Sequence, residues 1–422
     1  MRDFLPAEKV RRERILAVIR EVYRSHGFDE IETPVAEDSE RLHAGLGGDN
    51  EKLAFGILKR GLTRDDLQAA QEPLDLADLG LRFDLTVPLA RFYASHRAEL
   101  PAVFRSIQIA PVWRAERPQK GRYRQFVQCD IDVLGEPGPR AEAELLVATL
   151  DALDALGLAG GFIRVNDRRL LIGMLATFGF APDEYDGALV TIDKLDKIAQ
   201  DGVLAELRER GYTAAAIDEL ETFFSRPTTA EFLPFGDAAI RTALPDDPDA
   251  EALAGLVAIG EAVAAARGTD AVLLRFDPFL VRGMGYYTGP IFELAHPSVD
   301  YSLGGGGRYD GMIGQFLGTE VPATGFSLGF ERLVDLVDLP AREGVEAIAL
   351  LHDADVDLAQ LLTLKAELIA VGSRVRLVAR PKNVKPTLDA LAKEGFTSFT
   401  FVDRSTTLAS IALRSLNETP QS

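Results

Sequence analysis

Between Trp113 and Gln128 the chain reads Trp113-Arg114-Ala115-Glu116-Arg117-Pro118-Gln119-Lys120-Gly121-Arg122-Tyr123-Arg124-Gln125-Phe126-Val127-Gln128. Five basic residues fall within the eleven positions from Arg114 to Arg124, against one acid, Glu116. Guanidinium groups at this density suit polyanions, either the phosphates of a nucleotide or a nucleic-acid backbone. Charge alone fits a solvated hairpin tip equally well. The residues that follow alternate. On a strand, Gln128, Asp130 and Asp132 share one face, and Val127, Cys129, Ile131 and Val133 share the other. An amide and two carboxylates beside a cationic loop would floor a polar pocket. An ordinary half-exposed strand carries the same pattern.

Two further runs have chemical content. In Arg282-Gly283-Met284-Gly285-Tyr286-Tyr287-Thr288-Gly289, glycines let the backbone approach a ligand closely, while Arg282 and Tyr287 offer a fixed charge and a phenol. A turn before a strand would use the same residues. The run Gly304-Gly305-Gly306-Gly307-Arg308-Tyr309-Asp310-Gly311 has neither the Gly-Lys-Ser/Thr ending of a P-loop nor the spacing of a dinucleotide fingerprint. By itself it says only that the backbone runs tightly there.

These residues need elements to hold them. Apolar periodicity predicts a helix over 7–25, with Ile15, Ile19, Val22 and Tyr23 on one face and Gly27 as its stop. Strands are expected over 30–33, closed by Pro34, and over 81–86, followed by a helix over 87–94. Two long strands, 104–116 and 124–134, should flank the basic loop. A strong helix covers 140–156. From about 170 to 265 helical periods prevail, which reads as an inserted helical segment. Strand texture returns at 272–276, 291–294 and 325–328. Residues 338–344 read as a linker, and the remainder alternates strand and helix as a small α/β domain.

The 422 residues carry a formal net charge of -19 and are 47% apolar. That composition is globular, and the length suggests two or three domains. No uncharged apolar run reaches about 18 residues, so no membrane span is expected. The start, Met1-Arg2-Asp3-Phe4-Leu5-Pro6, lacks an apolar signal region. Cys129 is the only cysteine, which excludes an internal disulfide and a cysteine-built metal site, and fits a reducing cytoplasm. The five histidines show no metal-ligand spacing. Residues 342–422 hold ten Lys/Arg and ten Asp/Glu, so the acidity belongs to the rest of the chain. In that neutral stretch Arg374, Arg376, Arg380, Lys382 and Lys385 cluster. Such a basic edge could hold a polyanion or be a solvated face.

Together these motifs resemble histidyl-tRNA synthetase, a class II aminoacyl-tRNA synthetase, over nearly the whole length. Pro34, after Glu30-Ile31-Glu32-Thr33, resembles the motif 1 proline near the dimer interface. Arg114 through Gln128 resembles motif 2 in a form close to this family's own. The Arg282–Tyr287 run and Gly305-Gly306-Gly307-Arg308-Tyr309-Asp310 resemble the two histidine-site signatures. Gly325 to Arg332, ending Gly329-Phe330-Glu331-Arg332, resembles motif 3.

The resemblance implies an α/β chain with an α+β catalytic core. A class II antiparallel sheet flanked by helices would be interrupted by a helical insertion and followed by a C-terminal α/β domain. The implied boundaries are 1–168 for the first part of the core, 169–264 for the insertion, 265–338 for the second part and 343–422 for an anticodon-binding-like domain. The implied activity is ATP-dependent activation of L-histidine and transfer to the 3′ end of tRNA(His), by a cytoplasmic homodimer with no membrane association. Residue by residue, Asp84 and Thr86, sharing a face of the 81–86 strand, would surround the substrate histidine with Gln128 and Asp132. Tyr287 and Tyr309 would line its imidazole. Arg282 and Arg114 would be catalytic, gripping the α-phosphate from two sides. Phe126 and Arg332 would sandwich adenine, and Glu116 and Arg122 would complete the ATP site. Mg2+ would arrive with ATP rather than on a protein cluster.

The chain departs from much of the family in carrying Gly285 where an acid is common, and Asp rather than Glu at 84 and 132. Its C-terminal domain matches less well than its core. The alternative is a catalytically silent relative that serves as the regulatory subunit of ATP phosphoribosyltransferase. That relative typically lacks the C-terminal domain and the arginine matching Arg282, and has an eroded motif 2. Here residues 342–422 and Arg282 are present, and motif 2 is whole.

Overall fold

The computed structural model describes residues 1–46, 53–117, 123–225, 235–245, 248–268, 273–282, 286–339 and 346–416. They fall into two compact units, Met1–Arg2 with Ile15–Asp338, and Asp3–Arg14 with Leu339–Ser422. The strands of the first unit are β1 (Asp29–Glu30), β2 (Ala36–Asp38), β3 (Phe55–Leu58), β4 (Ala77–Leu81), β5 (Phe104–Trp113), β6 (Gln125–Leu134), β7 (Phe162–Asp167), β8 (Leu274–Phe276), β9 (Pro290–Ala295), β10 (Gly304–Arg308) and β11 (Ala323–Gly329). Eight form one sheet in the order β1-β5-β6-β11-β10-β9-β7-β8, and β2-β4-β3 form a second. Every pairing in the large sheet is antiparallel except β1 with β5 and β7 with β8.

The alternation read in β6 decides which way the sheet faces. Cys129, Ile131 and Val133 are fully buried, and the helix Arg140–Ala155 packs on β6 and β11. Among the described residues six α-helices lie between β7 and β8, from Arg168–Phe178 to Ala250–Arg267. Asp167 opens the first by accepting from the Arg169 N–H, and Asp249 opens the last by accepting from Ala252.

Two expected strands differ, and one strand is unexpected. The strand over 30–33 is only Asp29–Glu30. The Ile31 N–H still reaches the Ile107 carbonyl at 3.0 Å, but the Thr33 carbonyl is taken by the Arg82 guanidinium at 2.7 Å, and the chain leaves the sheet. The strand over 81–86 ends at Leu81. Asp84 lies in the connection and Thr86 starts the helix Thr86–His96, so the two do not share a strand face. The Asp84 carboxylate accepts the Val87 N–H at 3.2 Å, and Pro88 sits in the first turn, where no N–H is needed. The glycine run is itself a central strand, β10, which its two neighbours supply with a full ladder.

In the second unit β12 (Ala347–His352), β13 (Arg374–Ala379), β14 (Ser398–Val402) and β15 (Arg414–Ser415) order as β13-β12-β14-β15. β12 runs parallel to both neighbours. It is buried on both faces, Ile348 and Leu350 against Leu361, Leu364 and Leu368, and Ala349 and Leu351 against Leu391, Phe396 and Phe399.

Candidate active site

Residues opposite one another in a sheet point to the same face. Following the register from β5 to β7 gives one lateral row: Gln108, Asp130, Ser327, Gly305, Glu293, Arg164. The next row is Ser106, Asp132, Gly325, Gly307, Ile291, Asn166. Polar side chains thus collect on the face away from the Cys129–Ile131–Val133 core, and the middle of that face is cleared by glycine. A cavity of about 930 Å³ lies over it. A Cβ on Gly325 would overlap the Asp132 carboxylate, and one on Gly305 would come within 2.7 Å of the Arg282 guanidinium carbon.

The cavity lining carries several carboxylates and phenols. Asp84, Thr86, Gln128, Asp130, Asp132, Tyr287 and Tyr309 all belong to it. The Tyr309 hydroxyl donates to Asp132 Oδ1 at 2.6 Å. Burial pushes Asp132 up to about 7, with the charge of Asp84 adding to the rise and the Tyr309 hydrogen bond opposing it. Burial, then the neighbouring Asp132, pushes Asp130 well above the usual carboxylate range, and burial raises Asp84. Gln128 donates its Nε2 to Ser327 Oγ at 3.1 Å and to Asp130 Oδ2 at 3.3 Å. Gln128 Oε1 and Asp84 Oδ2 are buried acceptors with no donor. Buried acceptors in that state are costly unless a ligand supplies N–H groups. An ammonium with three donors fits them.

Arginines line the same cavity beside these groups. Arg114 lies over the Phe83 ring at 4.4 Å and the Phe126 ring at 5.1 Å, with its Nε donating to the Phe83 carbonyl at 3.2 Å. Burial lowers its pKa, and Asp84 and Glu116 oppose that shift. Arg282 donates from Nη1 to Glu293 Oε2 at 2.9 Å. Burial disfavours its charge, but Tyr287 and Glu293 overcome this and raise its pKa. Arg332 donates to the Ser302 carbonyl and stands 5.4 Å from the Tyr301 ring. Glu116, Phe126 and Arg332 line the same cavity. Arg122 and Gly285 lie outside the described residues.

Sequence reasoning missed Glu293, Arg164, Asp277 and Tyr286, and left Asp130 without a role. Alternation within β9 already put Glu293 opposite in phase to Phe292 and Leu294. What the sequence lacks is the register that brings Glu293 to Gly305 and Arg164. Arg308 belongs to the glycine-rich run. The structure shows it bracing β10 from below, buried, with Nε donating to Glu142 at 2.7 Å.

Carboxylates and arginines side by side in one cavity can hold a cationic small molecule next to a phosphate ester, on one backbone-lined floor. The histidyl-tRNA synthetase family profile matches residues 1–333. The histidine–tRNA ligase of Leifsonia xyli is 59% identical over 99% of this chain and 97% of its own. That of Aeropyrum pernix is 41% identical over 79% of this chain and 72% of its own. Among solved structures, histidyl-tRNA synthetase from a Nostoc species superposes with a TM-score of 0.74 at 24% identity, covering 99% of this chain and 93% of that one. A Bacillus halodurans protein described as an ATP phosphoribosyltransferase regulatory subunit/histidyl-tRNA synthetase superposes with a TM-score of 0.72 at 21% identity, covering 95% and 96%. At these identities both superpositions speak to the fold.

Proposed function

The chain belongs to the histidyl-tRNA synthetase family, and we infer from the cavity how its residues divide that family's work. It activates L-histidine with ATP to histidyl-adenylate and transfers the histidyl group to tRNA. The regulatory-subunit alternative is not favoured, because a relative 59% identical over 99% of the chain is a ligase. One observation carries the assignment of roles: unpaired buried acceptors and the two arginines Arg114 and Arg282 line a single cavity.

In this reading Asp84 and Gln128 take the α-ammonium, with Thr86 beside them. Asp132, held by Tyr309, takes the imidazole together with Tyr287. Arg282 reaches the histidine carboxylate and the α-phosphate, and Arg114 reaches the α-phosphate from the Phe126 side. Adenine sits between Phe126 and Arg332. Glu116 faces the outer phosphates, with Arg122 assigned by its place in the motif alone. The carboxylate attacks the α-phosphorus and pyrophosphate leaves, so no side-chain nucleophile is needed. What is needed is in-line placement and cations where charge grows. Among the described residues no group of three His, Cys, Asp or Glu could hold a metal. Mg2+ would arrive with the ATP phosphates, where it would neutralise charge with Glu116 as a neighbouring carboxylate. For the second unit we assign tRNA contact to the edge bearing Arg374, Arg376 and Arg380. Among the described residues no helix is long and apolar enough to cross a membrane, and we place the protein in the cytoplasm.

ATP–pyrophosphate exchange with each amino acid in turn tests the reading. A pocket with buried polar groups rejects ligands that leave them unpaired by about 10⁴-fold or more. Histidine alone should support exchange, and comparable exchange with another amino acid would overturn the assignment.

A further inference from the structure

We propose that Glu293 and Arg164 are positioning residues for Arg282, which they hold across the glycine strand in the attitude its work on the α-phosphate requires. The inference rests on the reading of the site given above.

The geometry is a closed ring. Arg282 Nη1 donates to Glu293 Oε2 at 2.9 Å. The other oxygen of the same carboxylate, Oε1, accepts Arg164 Nη1 at 2.7 Å. Arg164 Nε in turn donates to Asp277 Oδ2 at 2.6 Å. The second Asp277 oxygen accepts the Phe279 N–H at 2.9 Å, at the start of the segment that leads back to Arg282. One circuit therefore fixes both the guanidinium and the backbone that delivers it. Glu293 and Arg164 are directly opposed on β9 and β7, and Glu293 is directly opposed to Gly305. Because Gly305 has no side chain, the Arg282 guanidinium can lie over β10 beside Glu293.

Charge makes the carboxylate necessary. Two guanidinium groups approach one another here, and a single carboxylate with one oxygen for each lets both stay charged. Arg164 is held strongly cationic, its burial outweighed by Asp277 and Glu293. An arginine free to rotate would have to be ordered at the moment of reaction. One already held by a carboxylate and a neighbouring sheet strand would not. Asp196 also approaches Arg164, at 3.4 Å, but it is largely exposed and contributes little.

The test is a double-mutant cycle on the full chain, read by single-turnover formation of histidyl-adenylate and by histidine affinity. Glu293→Gln should slow adenylate formation by about tenfold or more, and change histidine affinity by less than about threefold, because its effect is on a transition-state contact. In an Arg282→Ala background the same substitution should cost less than about twofold, since the group it positions is gone. A merely structural role predicts equal losses in both backgrounds, and additivity of that kind would overturn the inference. So would an unchanged rate in Glu293→Gln. If Arg282→Ala itself leaves the rate unchanged, the site reading fails instead, and the inference falls with it. Should Glu293→Gln not fold, Arg164→Lys carries the same cycle. It keeps the charge but loses the planar fork that spans Asp277 and Glu293, so its loss must likewise vanish without Arg282.

Discussion

At the scale of single residues, the buried carboxylates of the cavity are held in a costly state that substrate relieves. The carboxyl of Asp132 sits at about 7 because it is buried and faces Asp84. A carboxyl raised above its unfolded value of about 4 leaves the folded state holding the extra proton between those values. Its stabilising effect is complete below about pH 4 and is lost as pH rises through about 7. Asp132→Asn cannot titrate. Melting curves from pH 4 to 8 should therefore show the wild type losing a few degrees relative to Asp132→Asn as pH rises, and parallel curves would contradict this. Arg282 belongs to the same scale. Asp84, Gln128 and Asp132 remain to hold histidine when it is cut back, so Arg282→Ala should lose about 10²-fold in adenylate formation while binding histidine nearly as before. Single-turnover measurements against an equilibrium histidine titration separate the two quantities.

At the scale of elements, the glycines of β10 and β11 have different duties that identical substitutions can tell apart. A methyl on Gly325 would meet the end of the Asp132 side chain, which can swing away. Gly325→Ala should leave the sheet folded and raise the histidine KM by about tenfold or more, by displacing a ligand-facing carboxylate. A methyl on Gly306 would meet the Gly325 backbone, which cannot move without breaking the ladder. Gly306→Ala should lose melting temperature or solubility instead. Equal behaviour of the two variants would refute the distinction. Much at this scale could be read in advance. The period of Gln128, Asp130 and Asp132 set the cavity face of β6, and the basic loop marked the hairpin. The strand expected over 81–86 failed because Arg82 finds carbonyl partners on neighbouring segments, a tertiary event that no local pattern announces. β10 was unreadable for a similar reason. Glycine weakens an isolated strand, and only the two flanking strands make one of it.

For the whole molecule, the sequence conveyed the motifs in order but not the register that joins them, which is why Glu293 and Arg164 went unnoticed although both are plainly charged. Assembly belongs to this scale. β1, which precedes Ile31 and Pro34, is one of the two edge strands of the large sheet. Exposed apolar side chains, Val35, Leu58 and Leu79, stand on or beside the small β2-β4-β3 sheet. We expect a two-fold homodimer through this side, with light scattering at micromolar concentration giving twice the 45.9 kDa chain mass. An active monomer would count against it. The glycine floor has one more consequence, for how such a chain can change over generations. Its shape is made by what has been left out, so nearly every first step at those positions adds bulk, and no step can enlarge the room further. Drift there is a ratchet with one direction. Exploration of new ligands is pushed outward from the floor, to half-buried residues such as Thr86 and Arg332, where a side chain can be traded for a larger or a smaller one.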